Sequence, residues 1–396
     1  GFELCPADEC NLEEEYCPAN ATGNKFMILK SFSNPILDQY KKTAMNRPGY
    51  YDYKNMHHEF RPYIMFANAE NYNTRFVSTD KFGFRKTVNK DNKKIELSEL
   101  KDNHNDCNVI LGGSTAFGMG CSSDRNTIAS ELSAQGIFCQ NFGIRAATSQ
   151  QELIVFLQFK RYLSRIRNIL ILSGGNDISV AAHNSSFFYP DFGFMFAEDI
   201  RFNHFWQQYV GFNERKWEFG RNNFFNLVER LTRKFSIFKF FFITLFSWWS
   251  SSKLIKKTKQ KPKLNFSEKI KAINKFVSND FVTWAAISKY VSANLIYILQ
   301  PCINWHKKKL TKRELNIMES QREQLGSDYY DKLISKEVYL SQKKFIKDQC
   351  ALNNILFYDA NEWISKLDEK DEIFTDSHHL TDFGNKYLAD CIEKII

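Results

Sequence analysis

The chain of 396 residues has no uncharged apolar run of about 18 residues or more, so it offers no candidate membrane-spanning helix. It also lacks the composition of a disordered, collagen-like or coiled-coil protein. Hydrophobic residues make up 43% and charged residues 25%, which are ordinary globular proportions. No zinc signature is present: the early Cys5, Cys10 and Cys17 have the wrong spacing. The His57-His58-Glu59 run lacks an HExxH step and a partner motif, so it reads as a structural surface cluster rather than a metal site. The glycine-rich turn at 112–118 lacks the lysine of a P-loop, since Met119 and Gly120 follow Gly118. The net charge of +9 fits an anionic partner, but no nucleic-acid module accompanies it and the one lysine-rich stretch is short. Nucleic acid is therefore not an expected partner.

At roughly 150 residues per domain, the length allows about two or three domains, or one large domain with insertions. Aromatic residues reach 15%, a rich supply for a core or an apolar surface. The 9 cysteines are odd in number, so at least one thiol is unpaired in a monomer. Cys107, Cys139, Cys302 and Cys391 lie in apolar runs and are expected as buried free thiols. The Cys5–Cys17 cluster fits a local disulfide only if the protein is exported. Gly1 and the Asn20-Ala-Thr22 sequon leave export open, with a cytoplasmic or membrane-peripheral location favoured.

The fold signal is a rhythm of short apolar runs and helical patterns. Asn108-Val-Ile-Leu ends at Gly112-Gly113, a strand stopped by a turn, and 126–135 reads as a helix ended by Gly136. Residues 138–142 form a second strand. Ser149-Gln-Gln-Glu152 is a capping-box pattern opening a helix with Leu153, Phe156, Leu157 and Leu163 on its apolar face. Asn168–Leu172, Asn294–Leu299 and Asn354–Tyr358 read as three more strands, and the last helix carries Tyr387, Leu388, Cys391, Ile392 and Ile395 on one face. Strands and helices alternating in this way predict a parallel central sheet in a three-layer α/β/α fold. Residues 1–104 are an N-terminal accessory region, with a hairpin-like stretch turning at Asp80-Lys-Phe-Gly83. Residues 105–396 form the main domain. It is interrupted at 185–270 by an aromatic and basic insertion, and the rhythm resumes from about 271.

Reactive groups in such folds lie beyond the carboxyl ends of the strands. That rule selects Gly-Gly-Ser114, Gly143, Gly174-Gly-Asn176-Asp177 and Asp376-Ser-His-His379. A serine hydroxyl becomes a nucleophile when a base takes its proton. Ser114 sits at a glycine-rich strand-to-helix turn, His379 is the candidate base, and Asp376 is placed to orient it. Oxyanion donors would be the N–H of Ser114, the N–H of Gly143 and the amide of Asn176. Each motif alone has an ordinary reading as a turn or a cap; their order along the chain is what carries the inference.

These blocks resemble the SGNH hydrolases of the GDSL esterase superfamily. The matching stretches are Gly112-Gly-Ser114-Thr-Ala-Phe-Gly118, Asn141-Phe-Gly143, Gly174-Gly-Asn176-Asp177 and Asp376-Ser-His-His379-Leu-Thr-Asp-Phe-Gly384. The resemblance spans 105–184 and about 290–396. It implies a flavodoxin-like core and Ser114, His379 and Asp376 as nucleophile, base and orienting acid, with Ser114, Gly143 and Asn176 in the oxyanion hole. It implies neither cofactor nor metal. His378 competes for the base, but the three-residue step from Asp376 selects His379. The family's first block has Asp before the serine, where this chain has Gly113. The G-G-S-T form resembles bacterial members linked to surface polysaccharide, which implies an esterase removing or transferring a short acyl group, O-acetyl on a carbohydrate first.

The insertion carries Phe240-Phe-Phe-Ile-Thr-Leu-Phe-Ser-Trp-Trp249, followed by lysines through Lys263. It reads as a lid over the core, or as a segment at an anionic membrane surface through 235–263. The second reading motivates a lipid-ester hydrolase as the alternative activity. A non-catalytic glycan-binding or assembly module is the alternative from another class.

Overall fold

A computed structural model describes residues 52, 56–59, 61–65, 67–101, 106–183, 265–325 and 327–396. The early cysteine cluster, and the 235–263 stretch with its lid and membrane readings, lie outside them. In chain order, strand β1 (Asp106–Gly112) runs into the one-turn helix α1 (Ser114–Phe117). Then come α2 (Ile128–Ala134), β2 (Cys139–Asn141), α3 (Ser149–Phe159), β3 (Arg165–Ser173) and α4 (Asn176–His183). The later part holds α5 (Phe266–Val291), β4 (Asn294–Leu299), α6 (Lys312–Leu325), α7 (Ser327–Leu333), α8 (Lys336–Leu352), β5 (Leu356–Asp359), α9 (Ala360–Ile364) and α10 (Asp382–Glu393).

The five strands form one sheet in the order β2-β1-β3-β4-β5, every neighbouring pair parallel. Alternate residues of each strand face opposite sides. Val109, Leu111, Ile169, Ile171, Leu295 and Tyr297 enter one core with α3, α5 and α8. Ile110, Leu170, Leu172, Ile296 and Ile298 enter the other with α2, α9 and α10. The sheet is thus covered on both faces, which is why its strands read as nearly continuous apolar runs. At its lower end Asn168 donates to Asn108 Oδ1 (2.7 Å) and Asn294 donates to Asn168 Oδ1 (2.9 Å), a neutral ladder across β1, β3 and β4.

The segment 67–101 is built into the same core, where Phe84, Leu97 and Leu100 pack with Val109 and Leu111. Its expected hairpin is present in reduced form. Thr79 bridges Arg85, and the Gly83 N–H donates to Asp80 O at 3.0 Å to close the turn. Thr87–Val88 then pairs with Lys94–Ile95. His58 and Glu59 form a short ladder with Ala67–Asn68, and His57 Nε2 lies 3.4 Å from Glu59 Oε1.

Some expectations shift. The capping box on α3 is Thr148 with Gln151, one residue earlier than Ser149 with Glu152. Ser149 and Glu152 are freed for buried contacts described below. Leu157 is 46% exposed, and Leu163 is buried but lies past the helix, so the packing face is Val155, Phe156 and Phe159 with Leu153 partly buried beside them. The rhythm expected to resume from about 271 already resumes at Phe266, where a helix begins with Asn265 and Glu268 forming a reciprocal cap. The last strand begins at Leu356 rather than Asn354. Cys107, Cys139 and Cys302 are buried free thiols as expected, and burial pushes Cys107 and Cys302 up to about 12.

Candidate active site

The chain leaves β1 toward β2 on one side and returns as β3 on the other, so the strand order reverses between β1 and β3. Ligands in open α/β sheets bind in the crevice at that point. Ser114 follows β1 and Asn176 follows β3, one on each wall of the crevice. The backbone there is tightly packed. Gly112 has φ +150, and a Cβ would stand 2.2 Å from the Leu172 carbonyl oxygen on β3. At Gly113 a Cβ would stand 2.1 Å from the Asn176 amide nitrogen, so a side chain in that position requires Asn176 to shift. The Asn176 amide thus fills the space that a side chain at residue 113 would need.

The loop after β5 supplies the other groups. Asp376 Oδ1 accepts the backbone N–H groups of His378 and His379, both at 2.9 Å. Its Oδ2 lies 2.5 Å from His379 Nδ1, and His379 Nε2 lies 2.6 Å from Ser114 Oγ. An ionised carboxylate only accepts, so Nδ1 carries the proton and Nε2 is left to accept from the serine hydroxyl. His378 points elsewhere: its Nδ1 lies 2.7 Å from Ser377 Oγ, and its carbonyl accepts the Thr115 hydroxyl at 3.0 Å. Burial outweighs the nearby Asp376 and holds its pKa down to about 4, so it is neutral at pH 7.

Three donors were expected around the serine. The Ser114 N–H opens α1 and has no acceptor within that helix. Asn176 Nδ2 gives one proton to Ala147 O at 2.7 Å and retains a second. The Gly143 N–H donates to Asn141 Oδ1 at 2.8 Å, while Asn141 Nδ2 donates to Ala116 O at 2.9 Å. A Cβ at residue 143 would stand 2.3 Å from the Phe117 nitrogen, so glycine there lets the loop lie directly on α1.

Several supporting residues carry no local signal in the sequence. Arg85 is wholly buried behind α1. Its Nε lies 2.9 Å from Asp124 Oδ1, and its other nitrogens donate to the carbonyls of Gly118 and, at 2.6 Å, Phe76. Burial raises and Arg85 lowers the pKa of Asp124, with Lys94 and Ser78 adding to Arg85; the net position is below the usual value. Asn68 donates to Gly143 O at 3.1 Å and accepts the Arg145 N–H at 3.0 Å, clamping the Gly143 loop.

Beneath Asn176 lies a group of buried acids. Ser149 Oγ donates to Asp177 Oδ1 (3.2 Å) or to Asp280 Oδ2 (3.0 Å), and Ser173 Oγ donates to Glu152 Oε1 (2.7 Å). Burial pushes Asp177 up to about 7, Asp280 up to about 6, and Glu152 well above its usual value.

No protein-family model and no curated protein matches the chain. Similar solved structures include a member of the lipolytic G-D-S-L family from Veillonella parvula, with 11% identity over 74% of this chain and 98% of that one, at a TM-score of 0.38. The acetyl xylan esterase AlAXEase has 7% identity over 73% and 99%, at 0.36. Est24, a carbohydrate acetylesterase from Sinorhizobium meliloti, has 10% identity over 74% and 100%, at 0.35.

Proposed function

We propose that the chain is a serine esterase acting on a short acyl ester, with O-acetyl on a carbohydrate as the first substrate class. The observation that carries this reading is the hydrogen-bonded line from Asp376 through His379 to Ser114, with contacts of 2.5 and 2.6 Å, at the point where the strand order reverses. The carbohydrate part rests on the resemblance of the G-G-S-T turn to polysaccharide-linked members.

Ser114 Oγ forms a bond to the ester carbonyl carbon as its proton passes to His379 Nε2. Asp376 holds the ring in the required tautomer and stabilises the imidazolium. The charge that develops on the carbonyl oxygen is met by the Ser114 N–H and the second amide proton of Asn176. The Gly143 N–H joins them only where its bond to Asn141 Oδ1 gives way to the oxyanion. Collapse breaks the bond to the alcohol, which takes the proton from Nε2. Water, deprotonated by the same nitrogen, then attacks the acyl carbon; the bond to Ser114 Oγ breaks, Oγ takes the proton back from Nε2, and the acid leaves; a second hydroxyl in place of water makes the reaction a transfer. No step calls on a cofactor.

The test is turnover of p-nitrophenyl acetate, butyrate and palmitate by wild type and Ser114→Ala. Turnover that is fastest on acetate and falls by several powers of ten in the variant supports the reading. A variant that keeps wild-type turnover removes the serine mechanism. Preference for palmitate moves the substrate to lipid esters, the activity suggested by the Phe240–Trp249 run. Absence of turnover on every ester, together with no covalent capture by a fluorophosphonate, favours a non-catalytic module.

A further inference from the structure

We propose that Glu314, paired with Lys308, is a positioning residue that sets the Asp376–His379 loop against Ser114. The inference rests on the serine-esterase reading for its kinetic part only.

Glu314 and Lys308 are both wholly buried, with Nζ 3.1 Å from Oε2. The carboxylate does more than balance the ammonium. Its Oε1 accepts the backbone N–H groups of Ile373 (2.8 Å) and Phe374 (3.2 Å), and its Oε2 also accepts the Thr311 N–H (2.9 Å). The Glu314 N–H in turn donates to Thr311 Oγ1 at 3.2 Å, so Glu314 also closes a capping box at the start of α6. Ile373 and Phe374 immediately precede Thr375 and Asp376. The returning arm is tied to the same residues, with Thr381 N–H on Ile373 O (2.8 Å) and a bridge between Phe374 and Leu380. One carboxylate therefore references both arms of the loop that presents Asp376 and His379.

Helix α6 reaches the loop a second time. Gln321, two helical turns beyond Glu314 and on the same face, accepts the Ser377 N–H on Oε1 at 2.8 Å. The loop is thus fixed on either side of Asp376. All four partners of the Glu314 oxygens are donors, so no neutral amide can replace it without setting donor against donor. The contact between His379 Nε2 and Ser114 Oγ joins residues far apart in the chain, and a displacement of about 1 Å there is enough to cost about 100-fold in rate.

Two variants test this. Glu314→Asp keeps the charge for Lys308 but withdraws the carboxylate by one methylene. The double variant Lys308→Met/Glu314→Leu replaces the buried pair with apolar side chains, an exchange tolerated for ion pairs themselves, while taking the acceptor from the Ile373, Phe374 and Thr311 N–H groups. Folding is followed by thermal denaturation, kcat and KM on p-nitrophenyl acetate, and the far-downfield proton resonance of the His379 Nδ1–Asp376 hydrogen bond by NMR. The expected result is a folded protein with kcat lowered about 10-fold in Glu314→Asp and about 100-fold in the double variant, KM within about three-fold, and the resonance shifted or broadened. A folded variant with wild-type kcat and an unchanged resonance overturns the proposal and leaves Glu314 as a structural anion. If the double variant does not fold, Glu314→Asp decides alone. The resonance needs no substrate, so failure of the esterase reading, seen in Ser114→Ala, remains distinguishable from failure of this one.

Discussion

Arg85 and Glu314 are both buried ions standing behind the contact between Ser114 and His379, yet they meet opposite needs. Arg85 is a cation among carbonyls, those of Phe76 and Gly118, the latter just past the end of α1. Helix ends leave such carbonyls without intrahelical partners. Glu314 is an anion among N–H groups at the entry to the base loop. Each is neutralised by a partner, Asp124 in one case and Lys308 in the other. The sign of each buried charge follows from which backbone groups lack a partner there. A buried pair is weak evidence for stability in itself. Here each holds backbone next to one half of the proposed site.

The comparison breaks most readily at Arg85. Arg85→Met leaves Asp124 buried with only Lys94 and Ser78 beside it, and should cost about 3–5 kcal/mol in denaturant unfolding. Arg85→Met/Asp124→Leu should recover most of that loss. A single variant costing under about 1 kcal/mol would mean that the pair is not what holds α1. On the catalytic side of the same wall, Asn176→Ala should lower kcat by about 100- to 1000-fold, roughly 3–4 kcal/mol, with little change in Tm. An effect under about three-fold would shift the oxyanion donor to Gly143 and require Asn141 to release its N–H.

The acids beneath Asn176 sharpen the comparison, because no cation is hydrogen-bonded to them among the described residues. Asp280 has its pKa raised to about 6 by burial, so it is protonated in the fold when the unfolded chain has already ionised. Its contribution to stability is full below about pH 4 and is lost as pH rises through about 6, by at most about 3 kcal/mol. Asp124 runs the other way. Its lowered pKa gives a contribution present above the unfolded value and lost as pH falls through the folded one. Asp280→Asn should therefore leave stability nearly unchanged at about pH 3.5 and raise it at about pH 7.5, measured by Tm at both values. Equal effects at both values would show that Asp280 is ionised in the fold.

The parts legible in the sequence are those whose cause is local. Strands buried on both faces announce themselves as apolar runs, and Ser114, Asn176, Asp376 and His379 stand beside turn glycines or in a short motif whose geometry is set within a few residues. The capping box of α3 was displaced by one residue because Thr148 and Ser149 are equally good caps, and Gln151 and Glu152 equally good third partners; the tertiary contacts of Ser149 with Asp177 and Asp280 decide between them. Leu157 keeps helical spacing yet faces solvent, since periodicity marks a stripe and not its edges. Arg85, Asn68 and Glu314 were not legible at all. Their partners are mostly backbone carbonyls and N–H groups tens of residues away, and every residue type carries those groups.

The smallest effect belongs to Lys94, and it separates burial from charge. Lys94 Nζ lies 2.8 Å from Asp124 Oδ2, as close as Arg85 is on the other oxygen, but the Lys94 side chain is 48% exposed. The two cations touch one carboxylate and differ chiefly in contact with water. An exposed ammonium loses little hydration when it pairs and regains it when the pair breaks, so such contacts contribute about 0–1 kcal/mol and fade with salt. Lys94→Met should cost no more than about 1 kcal/mol, less at 0.5 M salt, where Arg85→Met should keep its full cost. The check is urea unfolding of both variants at low and high salt. If Lys94→Met costs as much as Arg85→Met, the carboxylate depends on total positive charge. If the costs divide as expected, Asp124 depends on the guanidinium because water cannot replace it there.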